Sequence, residues 1–71
     1  MDNAELKEAM LAGVPVILKL KEGNEVEYKC VSAIVYRPKN GRVDVSAEVL
    51  DKCGRSVVYC DPKRLQRKGG A

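Results

Sequence analysis

Three cysteines, Cys30, Cys53 and Cys60, and three serines, Ser32, Ser46 and Ser56, are the hydroxyl and thiol nucleophiles that a triad would use, no histidine accompanies them, and nothing in the spacing marks out a lysine or a carboxylate pair instead. A serine nucleophile needs a base to take its proton, and neither a Gly-x-Ser-x-Gly elbow nor a glycine-rich phosphate loop is present. A zinc site would have to combine the three cysteines with a carboxylate, and the spacing of Cys30 and Cys60 matches no zinc knuckle. The expectation is a protein that is not an enzyme and uses no metal and no cofactor. An odd cysteine count without a Cys-x-x-Cys pair also argues against a disulfide framework. All three thiols are expected to be reduced, Cys30 and Cys60 as small core residues, and Cys53, close to Lys52 and Arg55, as the exposed and more reactive one.

Binding chemistry remains. Arg37, Lys39 and Arg42 share one turn, Lys52 and Arg55 the next, and Lys63, Arg64, Arg67 and Lys68 the end of the chain. Tyr36 stands beside Arg37, and an aromatic ring next to a cationic patch is what single-stranded nucleic acids favour, through base stacking and phosphate contacts. Tyr36, Arg37, Lys39, Arg42, Lys63, Arg64, Arg67 and Lys68 are therefore the candidate residues for binding nucleic acid or an acidic protein partner. The reading requires the chain's end to return to the end of the sheet that carries Arg37 and Lys39. Against it stands a plainer one, in which Tyr36 is a strand-end core residue and the arginines are simply solvated.

Charge is unevenly spread. Residues 1–13 sum to −2, residues 61–71 to +3 and the middle to +2, giving the net +3. A basic end is an electrostatic handle for an acidic partner or a solubilising tail, and positive charge speaks against mimicry of DNA. Seventy-one residues fill one domain, because a chain this short buries only about 60% of its unfolded surface. With no Phe and no Trp, the core must be built from aliphatic residues, Cys and three Tyr, which suits a small sheet curled on itself. No stretch approaches the roughly 20 apolar residues of a membrane span, and the acidic start does not read as a secretory signal. A reducing cytoplasm is the expected location.

The elements that must position these residues follow from capping, periodicity and turns. Asp2 and Glu5 have capping-box spacing, so a helix is expected over 3–12, with Leu6, Ala9, Met10 and Gly13 on one stripe and Gly13 as its stop. From Val14 the period becomes two, with Val14, Val16, Leu18 and Leu20 on one face; Pro15 places this strand at a sheet edge. Residues 21–24 form a turn, and a second strand begins at Glu25. Its alternation lapses near Val31, Ser32 and Ala33, which marks a bulge or a change of cover. Asn40-Gly41 is the strongest hairpin signal. A regular strand follows with Val43, Val45, Ala47 and Val49 inward, then a turn at 51–55 and a last strand over 56–60. Asp61 and Pro62 open one helical turn, Leu65 is its apolar plug, and 66–71 is expected to be a disordered basic tail.

The expected fold is mainly β with a short N-terminal helix: a small SH3-like antiparallel barrel or strongly curved meander of four to five strands over residues 1–65. The segment 26–59 forms its central three-stranded meander. A structural protein that self-assembles through an open strand edge at 14–20 is the alternative to a binding module.

Four segments, Val35-Tyr36-Arg37, Gly41-Arg42-Val43, 48–57 and 61–65, resemble short proteins encoded in prophages and mobile elements of Gram-positive bacteria. In those proteins a Tyr-Arg turn, a Glu-Leu-Leu-Asp-Lys-x-Gly-x-Ser-Val hairpin and a closing x-Pro-x-Arg segment recur. The likeness covers roughly residues 14–65, although the first hairpin here, 19–27, is longer. It implies a bacterial or phage cytoplasmic origin and a small β-rich fold, and it brings no activity and no site residues.

Overall fold

A computed structural model describes residues 1–68. The helix α1 spans Asn3–Ala12, with the capping box intact: the Asp2 side chain accepts from the Glu5 N–H, and the Glu5 side chain accepts from the Asp2 N–H. Gly13, at φ 65°, closes it in the left-handed conformation that glycine adopts without steric cost. The strands are β1 (Val16–Lys19), β2 (Glu25–Tyr28), β3 (Cys30–Lys39), β4 (Arg42–Leu50) and β5 (Val57–Cys60). A 3-10 turn over Pro62–Arg64 precedes the sixth strand, β6 (Leu65–Arg67). They form two antiparallel three-stranded sheets, ordered β2-β1-β6 and β3-β4-β5. The mainly β architecture is as expected, but the two sheets are not closed into a barrel.

The sheets meet at a corner of one residue. The long second strand expected from Glu25 is divided at Lys29, so the central meander begins at Cys30 rather than Val26. Lys29 keeps its N–H bonded to the Leu50 carbonyl at 2.8 Å while the chain changes sheet. Directly afterwards the β3/β4 register shifts between Val31 and Ala33, where the polar/apolar alternation lapses. Val31 faces the interior opposite Val49, and the bulge after it shifts the alternation so that Ile34, three residues on rather than two or four, packs against the core opposite Ala47.

Every layer contributes to one core. Leu6 from α1, Val16 and Leu18 from β1, Val31 from β3, Ala47 and Val49 from β4, and Leu65 at the start of β6 form a single buried cluster, with Tyr28, Ile34 and Cys60 packed at its margin. Among the described residues no polar side chain is buried.

Two expectations about the sheet edges are corrected. The first concerns β1: it is flanked on both sides, Val16 opposite Tyr28 in β2 and opposite Arg67 in β6, so 14–20 is no open edge for self-assembly. Pro15 precedes the strand and costs it no ladder bond. The second concerns the tail: Gln66 and Arg67 are strand residues paired with Ile17 and Val16, and the Lys68 N–H bonds the Pro15 carbonyl at 3.1 Å. The unpaired side of a short central strand draws in whatever follows the Leu65 plug, because lone backbone groups beside the core would otherwise lack partners. The rest of the expected tail, 69–71, lies outside the described residues.

Leu65 joins the core, at 3% exposure, to the strand that completes the first sheet. Replacing it with Ala is expected to cost about 2–5 kcal/mol, measured by urea denaturation. Leu11→Ala, at a residue 75% exposed, should stay within about 0.5 kcal/mol.

Candidate nucleic-acid interface

The β3–β4 hairpin outgrows its sheet. Pairing of these two strands runs from Cys30 opposite Leu50 to Lys39 opposite Arg42, while β5 covers β4 only from Leu50 to Ala47. Beyond Ala47 the hairpin is a two-stranded arm, closed by Asn40 and Gly41 at φ 50° and 78°. Both residues of this tight turn lie in the left-handed region that Asn-Gly supplies. Towards its tip the arm's apolar residues are left uncovered: Val43 is 64% and Tyr36 57% exposed, while Val35 and Val45 are half-buried.

Strand alternation sorts the arm's side chains onto two faces. Tyr36 pairs with Val45 on the face that continues the core, and Arg37 pairs with Asp44 on the opposite face, together with the Lys39/Arg42 pair. The expected partnership of Tyr36 with Arg37 is therefore corrected, because neighbours in a strand point apart. The ring that accompanies Arg37 is that of Tyr59 in β5, with the guanidinium carbon 5.9 Å from the ring centroid. A cation this close to an aromatic face is weakly attracted by the ring quadrupole. Glu48, opposite Tyr59 in the register, raises the phenol pKa above its ordinary value, while Arg37 acts in the other direction.

Sequence reasoning passed over Tyr59, yet turn lengths could have found it. The two-residue turn at Asn40-Gly41 fixes Arg37 opposite Asp44, the connection at 51–56 fixes Glu48 opposite Tyr59, and Asp44 and Glu48 share a face of β4. That connection is held by Asp51, whose carboxylate accepts from the Arg55 N–H at 3.0 Å and the Ser56 hydroxyl at 2.8 Å. These bonds, the hydroxyl's first, hold the Asp51 carboxyl below its ordinary pKa.

The basic residues do not form one patch. Lys68 reaches Glu27 at 3.0 Å, and Glu27 is also paired with Lys52 at 3.4 Å, which ties the chain's end to the turn at the far end of β4 from the arm. The hydrogen bond from Lys68, and then the charges of Lys52 and Lys68, lower the Glu27 pKa. Arg67 lies 4.0 Å from Glu8 of α1. The expected return of Arg67 and Lys68 towards Arg37 and Lys39 is thus overturned: their partners belong to α1 and β2. Lys63 stands nearer, across a groove from Val43, with its N–H bonded to the Asp61 side chain. Arg64 is exposed in the 3-10 turn. Among the described residues Arg37, Lys39, Arg42, Lys63 and Arg64 take part in no ion pair.

Cys53 is exposed in the second turn, and Cys30 and Cys60 are half-buried. Burial, and then the charge of Asp61, raises the Cys60 thiol pKa. Among the described residues no group of three or more metal-ligating side chains gathers. Comparison with known proteins finds no matching family model, no similar curated protein and no similar solved structure.

Two outcomes follow from these surroundings. Thiol labelling of the native protein should modify Cys53 first, with Cys60 slower because its thiolate is disfavoured. In an NMR titration the Glu27 carboxyl should titrate below its ordinary range, and Lys68→Met should move it upward. Because the folded-state pKa is depressed, the stability linked to Glu27 is present above its unfolded pKa and is lost as pH falls through the folded one. The acid limb of a pH–stability profile should therefore flatten in Lys68→Met.

Proposed function

We propose that this protein is a small non-enzymatic binding module that engages single-stranded nucleic acid through its β3–β4 arm. The observation carrying the reading is the concentration of Arg37, Lys39 and Arg42, without ion-pair partners among the described residues, on one face of a projecting hairpin beside Tyr59. Phosphates would be met by the three cations, and a base would stack on the exposed Tyr59 ring, which is 54% accessible. Lys63, in the lining of the groove, and Arg64, exposed in the 3-10 turn, are not assigned to this face, and Arg67 and Lys68 are engaged with Glu8 and Glu27. An acidic protein is the alternative partner of the same face.

The reading carries forward the origin implied by the sequence resemblance, a phage or mobile element in the cytoplasm of a Gram-positive bacterium. Among the described residues no helix is long and apolar enough to cross a membrane.

Fluorescence anisotropy with short single-stranded DNA and RNA tests the proposal. Binding should weaken with salt at a slope of about −0.7 per phosphate contacted, so roughly −2 for three contacts. The double variant Arg37→Glu/Arg42→Glu should abolish binding with little change in thermal midpoint, since exposed charges contribute little to stability. Arg67→Glu should bind nearly as well as the parent. Absence of binding at low salt, where phosphate attraction is strongest, would sink the nucleic-acid reading and leave the acidic protein.

A further inference from the structure

The two sides of β4 are unequally used. Towards β3 it is paired along its whole length, whereas towards β5 pairing stops at Ala47, opposite Cys60. Antiparallel strands direct the N–H and C=O of alternate residues to alternate sides. The Ala47 carbonyl faces β5, since it accepts from the Cys60 thiol at 3.7 Å. Val45 and Val43, two and four residues back, therefore direct their N–H and C=O groups to the same side, where no strand among the described residues covers them. These backbone groups border a groove of about 630 Å³, walled by 43–46 on one side, 59–63 on the other and 1–3 at its end.

We propose that this groove receives an extended peptide segment of a partner protein, which adds to β4 as a continuation of the line of β5. Four strand residues span about 14 Å at ~3.4 Å each, and the volume falls within the usual range of roughly 300–1,000 Å³ of ligand sites. Main-chain bonds to Val43 and Val45 supply the affinity, as in strand addition generally. Charge selects the partner. Asp2, Asp44 and Asp61 line the groove against Lys63 and the Met1 ammonium, and that ammonium is already bonded to the Pro62 carbonyl at 2.7 Å. The Asp44 carboxylate accepts no hydrogen bond and joins no ion pair among the described residues, so the segment carries Lys or Arg opposite Asp44 and small apolar residues on either side. The main-chain bonds use the edge of the arm and are independent of the nucleic-acid reading; only the Lys or Arg opposite Asp44 reaches the face that carries Arg37.

The test is an amide NMR titration of the full chain with a capped hexapeptide, Thr-Val-Arg-Val-Thr-Gly. The amides of Val43 and Val45 should shift and exchange at least tenfold more slowly with solvent. A peptide with Glu in place of Arg should bind at least tenfold more weakly, and one N-methylated at both valines should not bind. Val45→Pro, which removes an N–H on the open side, should abolish binding if its CD spectrum matches the parent; should it fail to fold, the N-methylated peptide decides. Equal binding of the Arg and Glu peptides, undiminished binding after N-methylation, or no shift at millimolar peptide would overturn the proposal. So would shifts at Val43 and Val45 driven by protein concentration alone, which would assign the edge to a second copy.

Discussion

A core without Phe or Trp has to hold two sheets and a helix together with small and medium aliphatic side chains. Leu6, Ala9, Val16, Leu18, Val31, Ala47, Val49 and Leu65 are its buried members. So small a store of apolar surface covers only what lies directly above it, and the remaining organisation follows from where it ends. At one end of β4, Ala47 and Val49 are fully enclosed; towards the other, Val45 is half-covered and Val43 lies open. The strand continues as backbone pairing after the core has run out. The arm is thus a direct product of a nine-residue strand crossing a core shorter than itself.

The same shortage explains the sixth strand. β1 supplies Val16 and Leu18 to the centre of the cluster, and it can do so only if both of its edges are satisfied. Leu65 both plugs the core and delivers the three residues that pair with the second edge. The Arg67 and Lys68 charges then find Glu8 and Glu27 within 4.0 Å. These exposed contacts fix orientation more than they stabilise.

Much of this was legible in the residues themselves, where a local rule decides. The capping box of Asp2 and Glu5, the Asn40-Gly41 turn, and the Asp61-Pro62 start of the last turn each specify backbone through a short-range hydrogen bond or a fixed dihedral. The lapse of alternation at Val31, Ser32 and Ala33 marked the bulge at its actual place. What stayed hidden depends on distant partners. Nothing in Leu65-Gln66-Arg67 looks like a strand until β1 offers an edge, and Pro15 looks like an edge signal until β1 is seen to start after it. For the site, the cationic residues of the arm were readable from composition. Their aromatic neighbour was not, because Tyr59 meets Arg37 only once two turn lengths are added together.

The two sheets differ in the chain length they enclose, and that difference orders their assembly. The β3–β4 hairpin closes through a two-residue turn, whereas β1 meets β6 by pairing Val16 with Arg67 across most of the described chain. Closing a long loop carries a larger entropic cost, and contacts of high sequence separation form late. The β3-β4-β5 meander is then the part that can nucleate by itself. The first sheet is completed later, when β6 reaches the free side of β1, and the Met1 ammonium bonded to the Leu65 carbonyl at 3.3 Å ties the end wall of the groove to that late step.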